Sequence, residues 1–392
     1  MRNERLALLT DYPFQRLTEL LGGPATPDSL VMSIGEPQAA PPPMVARILA
    51  ENTPLWGKYP PTPGTPDYRR ACAEWLSRRF ALPAGLIDAD RQVLPVAGTR
   101  EALYMIAQVV CPTEGAERPV VLLPNPFYQV YAGAAVMAGA EPVYVPATAE
   151  SGHLPDYAAV PESLLRRTAL AFYNTPANPQ GSVATLEQLT EMVTLARRHG
   201  FVLASDECYS EIYDTAPPAG ALEACARLGG GLDNVVVFHS LSKRSGVPGL
   251  RCGFVAGDSG VIAAFSHLRS YGGATVPMPI LAAGAALWRD EAHVEENRAL
   301  YRAKTDIAEQ VLGGRFGFHR PPGGFFLWLD VGDGEAAAVK LWQEAKIRVL
   351  PGRYLARDEA DGGNPGSRYL RVALVHDLDT TRQALTRLAG IL

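Results

Sequence analysis

Between about residues 90 and 270 the chain alternates short apolar runs with amphipathic stretches. Val120–Leu123, Pro142–Val145, Ala169–Tyr173, Phe201–Ala204, Val235–His239 and Gly253–Ala256 are mostly β-branched or aromatic, which predicts buried strands. Between two of these runs, Leu186, Leu189, Val193 and Ala196 fall on one helical face. Thr185 with Gln188 forms a capping box at the start of that helix, and Gly200 stands at its end. Strand–helix–strand repetition predicts an α/β fold, a mostly parallel sheet covered by helices on both faces. This large domain is expected over residues 41–270.

Beyond residue 270 the texture changes. Asp290–Leu312 reads as a long charged amphipathic helix, Phe325–Val331 and Tyr369–Leu374 as strands, and Glu335–Ala345 as a helix between them. That is an α+β module. The first 40 residues are expected to pack with it, making a discontinuous small domain of 1–40 and 271–392.

Composition narrows the function classes. The 392 residues carry 36 Lys+Arg against 41 Asp+Glu, a net charge of −5, with no basic run of the kind nucleic-acid binding requires. Val130–Ala140 and Val276–Trp288 are the longest apolar stretches, and both are too short to span a bilayer. The start of the chain reaches Glu4, Arg5, Asp11 and Pro13 without an apolar core, so no signal peptide is expected. Five scattered cysteines without C-x-x-C pairing fit a reducing cytoplasm. Prolines and glycines cluster at Pro41–Pro43, Tyr59–Pro66 and Asn174–Gly181.

In open α/β sheets ligands sit beyond the carboxyl ends of strands. There the chain places Asn174-Thr-Pro-Ala-Asn178-Pro-Gln-Gly181, Ser205-Asp206-Glu-Cys-Tyr209, and Ser240-Leu-Ser242-Lys243 with Arg251 eight residues on. Taken singly, Asp206 is as readily a helix cap, Lys243 a surface residue and Arg251 an ion-pair partner. Together, a lysine nucleophile, an acid for a pyridinium nitrogen, and an arginine with two hydroxyls for a phosphate describe a pyridoxal phosphate site. Gly98-Thr99-Arg100-Glu-Ala102 opens an apolar helix and offers free N–H groups to the same phosphate.

With these motifs in order, the sequence resembles fold-type I, class I/II aminotransferases of the aspartate aminotransferase superfamily. The match runs through Tyr59-Pro-Pro-Thr-Pro-Gly64, Gly98–Ala102, Asn125-Pro-Phe-Tyr128, Asn174–Gly181, Asp206–Tyr209, Ser240–Lys243, Arg251 and Arg371. The resemblance implies a mostly parallel seven-stranded sheet with a smaller α+β domain built from both chain ends. It also implies a role for each site residue. Lys243 would bond the cofactor and shuttle a proton between Cα and C4′. Asp206 would keep the ring nitrogen protonated, and Asn178 and Tyr209 would reach the 3′ oxygen. Tyr128 would stack on the ring. Gly98, Thr99, Arg100, Ser240, Ser242 and Arg251 would surround the phosphate. Tyr59 would reach the phosphate of a neighbouring subunit, implying a homodimer with shared active sites. Arg371, with Gly35 and Asn178, would take the substrate α-carboxylate.

Between the shared motifs, Asn125–Ala135, Gly139–Pro142, Ser240–Arg251, Tyr12-Pro-Phe-Gln-Arg16-Leu and Glu295–Arg302 are similar to bacterial succinyldiaminopimelate transaminases. That subgroup implies N-succinyl-LL-2,6-diaminopimelate, glutamate and their 2-oxo acids as substrates, in lysine biosynthesis. One departure is Gly246, where the subgroup pattern has Asn. Extra substrate carboxylates call for further cations, with Arg16, Arg100 and Arg244 as candidates. Competing readings are an aromatic, alanine or aspartate aminotransferase or a carbon–sulfur lyase on the same cofactor. Ser240-Leu-Ser-Lys243 also satisfies the S-x-x-K motif of penicillin-binding proteins, but Lys304-Thr305 is followed by Asp306 rather than glycine. No G-x-G-x-x-G or P-loop occurs. A non-catalytic module of the fold would be expected to lack the lysine.

Overall fold

The computed structural model describes residues 3–115 and 117–392; Met1 and Arg2 of the expected 1–40 segment lie outside them. The N-terminal arm contributes β1 (Leu30–Val31). The central sheet follows with β2 (Val93–Val96), β3 (Val120–Asn125), β4 (Glu141–Pro146), β5 (Thr168–Asn174), β6 (Val202–Asp206), β7 (Val235–Ser240) and β8 (Gly253–Gly257). The C-terminal part adds β9 (Phe326–Asp330), β10 (Ile347–Arg348), β11 (Leu350–Pro351) and β12 (Tyr369–Ala373).

The central sheet has seven strands in the order β2-β8-β7-β6-β5-β3-β4. β8 runs antiparallel to both of its neighbours and the remaining pairs are parallel. Neighbouring residues within a strand enter opposite cores. Val120 and Leu122 pack on one face of the sheet, Val121 and Leu123 on the other. Burial on both faces is why these strands read as continuous apolar runs. All six predicted runs are strands. β2 was not anticipated, because Val93-Leu94-Pro95-Val96 carries a proline. The structure puts it at a sheet edge, pairing only with β8, where a missing N–H costs no ladder bond.

The helix Leu186–His199 has the predicted capping box. Thr185 Oγ1 accepts from the Gln188 N–H at 3.2 Å, and Gln188 returns the bond to the Thr185 N–H at 2.9 Å. Gly200 closes it in the left-handed region.

In the C-terminal part, β9 and β11 flank β12 in an antiparallel sheet. The arm strand β1 pairs in parallel with β10, and Leu17 of the helix Pro13–Leu20 packs with Trp328, Leu350 and Tyr354. The 270 boundary needs correction. The helix Met278–Arg289 buries Leu281, Leu287 and Trp288 in the core of the central sheet, where the Trp288 ring meets Phe254 at 4.9 Å. We place the division near Asp290, where that helix ends and the helix Ala292–Leu312 begins. Among the described residues, no helix is long and apolar enough to cross a membrane.

Candidate active site

A cavity of about 500 Å³ lies at the carboxyl ends of β5, β6 and β7, between the central sheet and the C-terminal part. Its wall includes Gly35, Thr99, Tyr128, Asn178, Asp206, Tyr209, Ser240, Ser242, Lys243, Arg251 and Arg371, which sequence reasoning had drawn from stretches up to 336 residues apart (Gly35 to Arg371).

Asp206 ends β6 and is buried. Its Oδ2 accepts from the Tyr131 hydroxyl at 2.6 Å, and its Oδ1 from the Cys208 N–H at 3.2 Å. Burial pushes its pKa up, while these two donors pull the other way. Tyr131 itself is fully buried and stacks on Phe172 at 4.4 Å. Sequence reasoning missed it as a site residue. The available signal was its position three residues after Tyr128, on the same face of the helix Gln129–Met137.

Lys243 sits on the one-turn helix Leu241–Arg244 that follows β7. Burial pushes its amine down to about 8. The amine donates to the Gly35 carbonyl and lies 5.3 Å from the centroid of Phe325. A Cβ at Gly35 would come within 2.5 Å of the Phe326 ring, so this close approach needs glycine.

Arg371, on β12, is buried. It donates to Asn178 Oδ1 at 2.9 Å and to the Ser33 carbonyl at 2.7 Å, over the Phe326 ring. Its Nε has no partner. Burial pulls it down to about 10, which still leaves it cationic at neutral pH. Tyr209 and Tyr128 are both raised by burial, so their hydroxyls remain neutral donors.

Around Gly98 the structure gathers a guanidinium, two hydroxyls and the start of a helix. Gly98 has φ +81°, which favours glycine, and the space a Cβ would fill there is taken by the Arg251 guanidinium, with Nη2 2.0 Å from that point, over the start of the helix Thr99–Val110. Ser240 Oγ and Ser242 Oγ are 3.0 Å apart in the same wall. A guanidinium, hydroxyls and the N–H groups of a helix start are the donor set a phosphate ester requires.

Of the three arginines considered for extra substrate carboxylates, Arg100 alone lines the cavity, where it donates to the Tyr12 hydroxyl at 2.7 Å. Arg244 is corrected to a structural role. It is buried between Trp75 and Trp288, donates to the Leu287 carbonyl at 2.7 Å and pairs with Glu291 at 2.8 Å. Arg16 is likewise corrected, since its guanidinium covers the Tyr354 ring outside the cavity wall. Tyr59 is fully exposed and does not reach the cavity of its own chain. Gly246 has φ +63°, a region that both Gly and Asn occupy readily, so the departure from the subgroup pattern leaves the backbone path unchanged.

Residues 27–388 match the family described as aminotransferase class I and II. An LL-diaminopimelate aminotransferase of Desulforudis audaxviator is 32% identical over 399 residues, covering 99% of this chain and 97% of that one. The 4-dedimethylamino-4-oxo-anhydrotetracycline transaminase OxyQ of Streptomyces rimosus is 33% identical over 366 residues, with 93% and 94% covered. The crystal structure of an aminotransferase from Neisseria meningitidis Z2491 matches with a TM-score of 0.93 and 42% identity, covering 99% of each chain. The chain therefore belongs to the class I and II aminotransferases, enzymes that work through pyridoxal 5′-phosphate.

Proposed function

We propose that this enzyme transaminates a long amino acid with a distal carboxylate, N-succinyl-LL-2,6-diaminopimelate first among them, and passes the amino group to 2-oxoglutarate. The observation that carries the reading is Arg100. It is a guanidinium in the cavity wall, separate from Arg371 and Arg251, with no carboxylate in ion-pair range among the described residues. An aliphatic side chain gives such a cation nothing to pair with, and an aromatic one offers only a ring face, which Tyr12 already supplies at 5.3 Å. A relative named for LL-diaminopimelate supports the diaminopimelate backbone.

Each residue has a task in this reading. When bound, pyridoxal phosphate supplies an electrophilic aldehyde and a protonated ring that withdraws electrons from the substrate Cα. Lys243 provides the amine that joins the cofactor and the base that carries the Cα proton. Asp206, held by Tyr131 and the Cys208 N–H, is the buried carboxylate that would keep a proton on the ring nitrogen. Tyr209 and Asn178 would donate to the 3′ oxygen, Tyr128 would cover the ring, and Thr99, Ser240, Ser242 and Arg251 would hold the phosphate. Arg371 clamps the α-carboxylate, its angle fixed by Asn178 and Ser33. Fully exposed Tyr59 is available to a second copy of the chain, and we assign the active unit as a homodimer.

A first prediction concerns pH. The neutral amine is the nucleophile, and with its pKa lowered to about 8, Lys243 is neutral in roughly one molecule in ten at pH 7. Uptake of pyridoxal phosphate by the cofactor-free enzyme should therefore accelerate as pH rises through about 8 and level off above it. Stopped-flow absorbance measures this.

A second prediction separates the substrates. With 2-oxoglutarate as acceptor, kcat/KM for N-succinyl-LL-2,6-diaminopimelate should exceed that for LL-diaminopimelate, alanine, aspartate, phenylalanine and cystathionine. Arg100→Ala should lower it about 10- to 100-fold, the cost of a charge-assisted hydrogen bond, and leave alanine unaffected. Equal or better turnover of any competitor rejects the assignment.

A further inference from the structure

One stripe of the helix Ala292–Leu312 follows the lysine turn and takes no part in the steps above. Asn297 Nδ2 donates to two backbone carbonyls of that turn, Lys243 O at 3.0 Å and Arg244 O at 3.2 Å. Four residues earlier, His293 Nε2 lies 2.8 Å from Ser245 Oγ, with Asp290 on its other ring nitrogen. Four residues later, the Tyr301 ring stacks on Phe325 at 5.0 Å, and Phe325 is the ring beside the Lys243 amine. Spacing of four puts His293, Asn297 and Tyr301 on one helix face. Further along the same 21-residue helix, Ile307, Ala308 and Leu312 enter the core beneath β9 and β12.

The chemistry explains why an amide stands at the centre of this stripe. Leu241–Arg244 is a single helical turn, and its last carbonyls have no partner further along a helix. An Asn side chain brings two N–H donors, enough for two carbonyls.

We propose that Asn297 is a positioning residue for the reacting amine: its amide ties the Lys243–Arg244 backbone to a helix rooted in the C-terminal core, so the place of the amine in the cavity is set from that side. The proposal rests on Lys243 being the lysine that bonds the cofactor.

The direct test is Asn297→Asp, which keeps the shape, removes both donors and turns carboxylate oxygens toward the two carbonyls. Asn297→Ser, which keeps one donor, and exposed Glu296→Gln on the same helix serve as companions. Three quantities are read: kcat and KM for the amino donor, the melting temperature, and the pH midpoint of Lys243 acylation in the cofactor-free enzyme, followed by mass spectrometry. N297D is expected to lower kcat on the order of tenfold or more with KM little changed, since small misplacements of a reacting group cost rate. Its lysine midpoint should move up from about 8, in part through the charge of the new carboxylate; the uncharged N297S, whose midpoint should also move up as water reaches the amine, isolates the loosened turn. N297S should fall between, and E296Q should match wild type. A wild-type kcat and lysine midpoint in N297D overturns the proposal. So does a loss of kcat that merely follows melting temperature while the N297S lysine midpoint stays put. Lys243→Ala, run alongside, separates the two readings: if it still forms a reducible bond to the cofactor, the assignment of the lysine itself fails.

Discussion

Lys243→Ala is expected to lower turnover by about 10⁴-fold or more, because one side chain both bonds the cofactor and moves the Cα proton. Its setting suits both tasks. The amine stands on the turn just beyond β7, an interior strand of the sheet, and burial holds it near 8 instead of the ordinary lysine range. Arg371 and Arg251 add to that depression without touching it. A substituted arginine would keep the charge but cannot surrender a proton near neutrality, so Lys243→Arg should be as inactive as the alanine variant. Single-turnover absorbance changes, with enzyme in excess of the amino donor, measure the loss without interference from product release.

Asp206→Asn should rank second, with kcat falling about 10²- to 10⁴-fold. Removing one partner of a buried charge pair costs about 3–5 kcal/mol, and about 1.4 kcal/mol is a factor of ten. The carboxylate is buried, yet two donors converge on it, from the Tyr131 hydroxyl and the Cys208 N–H. An amide at this position fits the same space but offers no negative charge to hold a proton on a ring nitrogen. Cofactor affinity, measured separately by equilibrium titration, distinguishes loss of chemistry from loss of binding. If kcat falls only a few-fold at saturating cofactor, Asp206 does not have the assigned role.

Much of this site was legible because each buried parallel strand is a continuous apolar run that stops abruptly at a polar residue. Asp206 follows Leu203-Ala204-Ser205, and Lys243 follows Phe238 and His239 by one turn, so strand ends mark the site directly. Pattern alone could not show contacts made across the chain. Tyr131 and Asp206 are 75 positions apart, and nothing in Tyr131's own helix says that its hydroxyl meets a carboxylate. Arg244 misled for a geometric reason. One residue along a helix turns about 100°, so next to an amine in the cavity its guanidinium is carried away, into the cleft between Trp75 and Trp288. The helix Met278–Arg289 lies beyond residue 270 in a stretch whose apolar positions fit either core, and its packing, with Leu281, Leu287 and Trp288 in the core of the central sheet, is not visible in the pattern. Arg100 stayed one of three equal candidates until the cavity wall singled it out.

The central claim is that Lys243 is the residue that bonds pyridoxal phosphate. Borohydride reduction of the holoenzyme, followed by proteolysis and mass spectrometry, tests it most directly. The account predicts a reduced phosphopyridoxyl group on the peptide containing Ser242-Lys243-Arg244, at the lysine. A label recovered on another lysine, such as buried Lys304, with Lys243 unmodified, would contradict it.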